Sequence, residues 1–127
     1  MEWSFRSDQP IYSQLVRRIK QGIVSGELPA GSRLPSVRDL AMEAGVNPNT
    51  MQRALQELER EGMVFSQRTS GRFVTEDMTR IENVKRAFAA EHIRLFREGM
   101  AKLGYGREEI LALLQEEKEE TNGVSGM

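Results

Sequence analysis

The sequence contains no cysteine and a single histidine, His92. A disulfide framework, a thiolate nucleophile and a cysteine-based zinc site are thereby excluded, and one imidazole is too few to build a histidine metal centre. Long hydrophobic runs are missing as well, the uninterrupted apolar stretches being only a few residues long. No membrane span is expected, and the polar start Met1-Glu2-Trp3-Ser4-Phe5-Arg6 lacks the apolar region of a secretory signal, so the expected location is the cytoplasm. Neither charge sign dominates, with 18 Lys+Arg against 19 Asp+Glu. That balance argues at first against nucleic acid, because binding to its backbone is driven by phosphate neutralisation. Averages hide faces, however: residues 1–76 sum to +1 and residues 77–127 to −2. What matters is where the arginines point.

A chain of 127 residues has room for one domain, or for one compact domain with a short helical appendage. Apolar Ile11, Leu15, Ile19 and Ile23 recur every fourth residue and predict a first helix over 10–25, ended by Gly26. Ser36 and Asp39 have the spacing of a capping box, and Val37, Leu40, Ala41 and Ala44 supply the apolar face of a short second helix that Gly45 terminates in the left-handed region. Asn47 as N-cap and Pro48 at the first helical position start a third helix, whose buried stripe is Met51, Ala54, Leu55 and Leu58. Two β-prone runs, 63–67 and 72–75, flank Arg68-Thr69-Ser70-Gly71 and read as a hairpin. From Met78 onward a long helical stripe appears, and a last helix is expected over about 107–120. The expected organisation is mainly α with a small β-hairpin. It divides into a winged helix-turn-helix domain over 1–76, a two-helix dimerisation region over 77–120 and a flexible tail over 121–127.

Three helices followed by a hairpin, with a tight Gly45-Val46 turn before the third, describe a winged helix-turn-helix, in which the third helix would enter the major groove by its N-terminal end. At 100° per residue, Asn49, Arg53, Gln56 and Arg60 lie opposite the buried stripe, with Thr50 and Gln52 at its flanks. Residues 47–56 carry no acid, whereas Glu57, Glu59 and Glu61 all follow. That order opposes the helix dipole, and a carboxylate-free end that must approach phosphates accounts for it. Asn49, Gln52 and Arg53 are the candidates for reading bases, because Asn and Gln pair bidentately with adenine and Arg with guanine; Thr50 suits a thymine methyl or a phosphate. Arg33, Ser36 and Arg38 are expected on phosphates at the start of the second helix, and Arg68, Ser70, Gly71 and Arg72 at the wing tip. The bland alternative for each is a solvated surface side chain.

The stretches Leu34-Pro35-Ser36-Val37-Arg38-Asp39-Leu40-Ala41, Gly45-Val46-Asn47-Pro48-Asn49-Thr50-Met51, Leu55-Gln56-Glu57-Leu58-Glu59 and Gly71-Arg72-Phe73-Val74 resemble the GntR family of bacterial regulators. Gln9-Pro10-Ile11-Tyr12-Ser13-Gln14-Leu15 fits the start of the same family's first helix, so the likeness covers about 8–76. The resemblance implies a DNA-binding transcription regulator, expected to act as a repressor, with operator contacts from Arg38, Asn49, Thr50, Gln52 and Gly71; Asn47, at the mouth of the same helix, is a further candidate contact. Many members carry arginine where Pro48 and Gln52 stand here, so their base preferences do not transfer. The Asn-Pro-Asn-Thr run and the short C-terminal part are similar to the YtrA-like subfamily, which implies a dimerisation element in place of a large ligand-binding domain.

The stripe of Ile81, Val84, Phe88, Leu95, Phe96, Met100 and Leu103, with Ile110, Leu111 and Leu114 of the last helix, exceeds what a small domain needs and is expected in a subunit seam. Trp3 and Phe5 are expected against the first helix or that seam, and His92 is given no role. A homodimer on a pseudo-palindromic double-stranded operator follows from matching two-fold symmetries. No cofactor is implied, and no effector is indicated. The rival readings are a winged-helix module that meets a protein instead of DNA, and a small enzyme, for which no catalytic constellation can be assembled.

Overall fold

The computed structural model describes residues 1–125, with side chains described as far as 117. Along it run α1 (Ile11–Val24), α2 (Val37–Ala44), α3 (Pro48–Arg60), the antiparallel strands β1 (Val64–Gln67) and β2 (Gly71–Val74), α4 (Met78–Lys102) and α5 (Arg107–Ser125). The chain separates into two compact units, Met1–Ala87 and from Phe88 onward, so the boundary falls inside α4 and not at residue 76. Helix α5 continues past the expected end near Glu120. Of the tail expected over 121–127, the last two residues lie outside the described residues, as do all its side chains.

Local chemistry sets the helix ends. The Asn47 side chain accepts from the Asn49 N–H at 2.8 Å, with Pro48 at the first position, where its missing N–H costs nothing. Ser36 Oγ likewise accepts from the Asp39 N–H at 3.1 Å. Gly45 closes α2 at φ 71°, where a Cβ would be strained, and the bonds from Gly45 N to Met42 O and from Val46 N to Ala41 O absorb two orphan carbonyls. The chain can therefore reverse within two residues and launch α3. Asp77 caps α4 by accepting from the Arg80 N–H at 3.1 Å, a start signal the apolar pattern did not mark.

In the first unit α3 is the central element, packed on α1, α2 and β1. Leu15, Ile19, Met51, Leu55, Leu58, Met63, Val64 and Val74 are fully buried together. Trp3 and Phe5 stack on each other and pack partly against this core, and the Trp3 indole donates to Glu43 of α2 at 3.1 Å. Ile81, expected in a subunit seam, belongs to this core instead, being only 6% exposed, with Val84 packed partly beside it. The hairpin gains a third strand-like neighbour that the sequence did not announce. Residues 31–34 run along β2, through Gly31 N to Val74 O at 3.0 Å, Val74 N to Ser32 O at 2.8 Å and Leu34 N to Arg72 O at 2.9 Å. The approach to α2 and the wing are thus one hydrogen-bonded piece. Across the hairpin Phe65 faces Phe73, and their rings stack at 5.7 Å.

In the second unit Ile110 is already buried within the chain, 8% exposed, so it too leaves the expected seam. Phe88 and Met100 are half-buried. Leu95, Phe96, Leu103, Leu111 and Leu114 remain open, as does Ile93. Among the described residues, no helix is long and apolar enough to cross a membrane.

Candidate nucleic-acid interface

The start of α3 stands clear of the first unit. Asn47, Asn49, Arg53 and Gln56 are exposed, Thr50 and Gln52 half-buried, and the first turn carries no acid. Asn47 spends its carbonyl on the cap and keeps its amide N–H groups to donate. Ser36 is placed alike, since its oxygen caps α2 while its hydroxyl hydrogen is free to turn outward. Both capping residues therefore sit at the exposed mouths of their helices, where unpaired backbone N–H groups favour an anion.

Each acid in the second half of α3 is matched to a cation. Glu57 grips the Arg60 guanidinium at both carboxylate oxygens, and this hydrogen bonding holds its carboxyl below the ordinary range. Glu61 accepts from Lys20 of α1. Glu59 accepts from the Ser66 hydroxyl of β1 and from Arg72 Nε of β2, tying α3 to both strands of the wing. Partial burial pushes the Glu59 carboxyl up, yet the Ser66 and Arg72 hydrogen bonds outweigh it and leave the group below its ordinary value. The late acids are accordingly more than groove avoidance: Glu61 fastens α3 to α1 and Glu59 fastens it to the wing, while Glu57 holds Arg60 within the helix.

This pairing sorts the expected DNA contacts. Arg72, expected at the wing tip, is turned inward onto Glu59, its side chain 19% exposed, and does not join the outward group. Arg33, Arg38 and Arg68 are exposed and have no acidic partner among the described residues. Arg33 lies against Gly71, where a Cβ would come within 3.2 Å of its Nε; with Gly71 at φ 105°, only glycine suits the site. Ser70 and Gly71 stay exposed at the turn with Arg68. On the first unit, the start of α3, the mouth of α2 with Arg38, and Arg33 beside the wing are therefore all exposed. Arg53 is a separate case, since its guanidinium lies over the Tyr12 ring of α1 at 4.1 Å. In the sequence Tyr12 stands out only as part of an opening motif, because nothing local links residues so far apart in the chain.

The Glu59 fastening makes a testable expectation. Glu59→Gln keeps the shape and removes the charge, and should cost about 1 kcal/mol at neutral pH, the worth of hydrogen bonds to a charged group discounted for its partial exposure. Because the folded carboxyl titrates below its unfolded value, its stabilisation is complete above the unfolded value and lost as pH falls through the folded one. Urea unfolding of parent and variant should therefore differ near neutrality, and the gap should close as pH falls below the ordinary carboxylate range. A gap undiminished at lower pH would show that the charge is not what ties the wing.

Residues 11–74 match the family described as bacterial regulatory proteins, gntR family. The chain is 39% identical over 111 residues to the HTH-type transcriptional regulator YhcF of Bacillus subtilis, covering 87% of this chain and 92% of that one. It is 42% identical over 72 residues to the HTH-type transcriptional repressor YtrA of Bacillus subtilis, a match that takes in 57% of this chain and 55% of YtrA. A GntR family transcriptional regulator from Listeria monocytogenes superposes with a TM-score of 0.80 at 40% identity, over 88% of this chain and 98% of that one. AraR(DBD), solved in complex with operator ORX1, aligns over 59% of this chain and 96% of its own, at 25% identity and a TM-score of 0.54.

Proposed function

Since the chain belongs to the GntR family of bacterial regulatory proteins, we propose that it is a cytoplasmic repressor that binds a pseudo-palindromic operator as a homodimer. The observation that carries this reading is the exposed, acid-free start of α3, flanked by Arg33, Arg38 and Arg68 with their charges unspent. The fold shared with AraR(DBD), which was solved on its operator, supports the same docking. Asn49 and Gln52 read base edges, while Arg38, the α2 mouth and Arg68 position the protein on phosphates.

Dimerisation is supported by the second unit. Leu95, Phe96, Leu103, Leu111 and Leu114 are 42–72% exposed, and that much apolar surface on a small helical hairpin calls for a second copy. Two-fold symmetry would then present two α3 helices to two half-sites.

In vitro selection from a random DNA pool should return a symmetric site, and two substitutions separate the roles. Arg38→Ala should weaken all sequences alike and lower the salt slope by about one. Gln52→Ala should instead relax one position in each half-site, by about 1–3 kcal/mol of discrimination. Enrichment of no sequence at low salt would favour the reading in which this face meets a protein.

A further inference from the structure

Among the cations on and around α3, Arg53 is held in a different manner from the others. Arg60 is locked to Glu57, Arg72 to Glu59 and Lys20 to Glu61. Arg53 has no acidic partner among the described residues; its guanidinium carbon rests 4.1 Å from the centroid of the Tyr12 ring, which projects from the first turn of α1. The chemical difference is large. A carboxylate fixes a guanidinium by consuming its N–H edge and cancelling its charge, whereas an aromatic ring has neither a negative charge to cancel it nor carboxylate oxygens to occupy its donor fork. The ring thus restrains Arg53 and leaves both the charge and the in-plane donor fork available.

Resting on the reading that α3 enters the major groove, we propose that Tyr12 determines specificity indirectly, by restraining the Arg53 guanidinium against its ring so that the donor fork meets the O6 and N7 edge of one guanine. An unrestrained arginine must surrender most of its rotamer freedom to make a bidentate contact, and a guanidinium already stacked has lost that freedom beforehand. Arg53 lies one turn after Asn49 and next to Gln52, on the exposed face of the acid-free half of α3. Tyr12 is a positioning residue in this scheme, and the ring, not the hydroxyl, performs the task.

The test compares parent, Tyr12→Phe, Tyr12→Leu, Arg53→Ala and the Tyr12→Leu/Arg53→Ala pair in selection from a random DNA pool, followed by competition binding. Arg53→Ala should relax preference at a single position of each half-site by about tenfold, and Tyr12→Leu at that same position by about threefold. Tyr12→Phe should match the parent, and the double variant should match Arg53→Ala alone. Unchanged preference in Tyr12→Leu overturns the proposal, as does a uniform loss on all sequences that adds to the effect of Arg53→Ala. Uniform weakening by Arg53→Ala itself would assign that side chain to a phosphate and overturn it too. A parent that enriches no sequence defeats the interface reading and this proposal together, whereas a selective parent matched by Tyr12→Leu defeats this proposal alone. Should the leucine variant fail to fold, NMR relaxation of the Arg53 Nε–H in the parent decides. Order approaching that of the backbone is expected, and mobility equal to that of Arg68 overturns the proposal.

Discussion

Leu58→Ala removes about 3–5 kcal/mol from the unfolding free energy, the cost of an unfilled cavity in a well-packed core. Leu58 is completely buried in α3, the helix on which α1, α2 and β1 all pack, so no single neighbour can collapse to fill the gap. Its carbonyl also receives the Met63 N–H at 2.9 Å, at the turn that directs the chain into β1. A domain of this size has only about 5–15 kcal/mol in total, and the loss should show as a much lower urea midpoint with the slope unchanged. Gln56→Ala, two residues earlier on the exposed face, should stay within about 0.5 kcal/mol of the parent. Equal stabilities for the two variants would mean that α3 is not the centre of the core.

Leu95→Glu combined with Phe96→Glu should convert a dimer to a monomer and lower operator affinity by about a hundredfold or more. Both side chains lie outside the buried core of one chain, 51% and 42% exposed, so the carboxylates can reach water in the monomer. In the proposed seam each would be an unpaired buried charge, which costs several kcal/mol. Once monomeric, the protein engages each half-site separately and forfeits the gain in effective concentration from linkage. Sedimentation equilibrium and gel shifts on full and half operators measure both effects, with half-site affinity unchanged. A parent that sediments as a monomer, or a variant that still dimerises, would remove the α4–α5 face from the assembly.

The features legible in the sequence are those whose physics is local. A cap such as Asn47-Pro48, or a left-handed stop such as Gly45, is written within a few residues, and the buried stripe of α3 is written in the spacing of Met51, Ala54, Leu55 and Leu58. The exposed placement of Asn49 followed from the same periodicity. What could not be read depends on distant partners. Arg72 looks like any wing arginine until Glu59 is seen to hold it, and Arg53 looks like any groove-facing arginine until Tyr12 is found beneath it. The stripe along α4 identifies apolar positions and not what covers them. That is why Ile81 turned out to serve its own unit's core while Leu95 and Phe96 stayed bare. Backbone pairing of 31–34 with β2 carries no side-chain signature at all.

That last pairing also limits how the molecule can adapt. With β2 bonded to β1 on one edge and to the lead-in of α2 on the other, the base of the wing is tied through Arg72 and Val74 to the approach to the helix pair. In the proposed docking the protein would then meet a duplex as a caliper of fixed gauge. A site with every favourable base but the wrong groove spacing would be refused by fit alone, so the stiffness of the DNA becomes part of what is recognised.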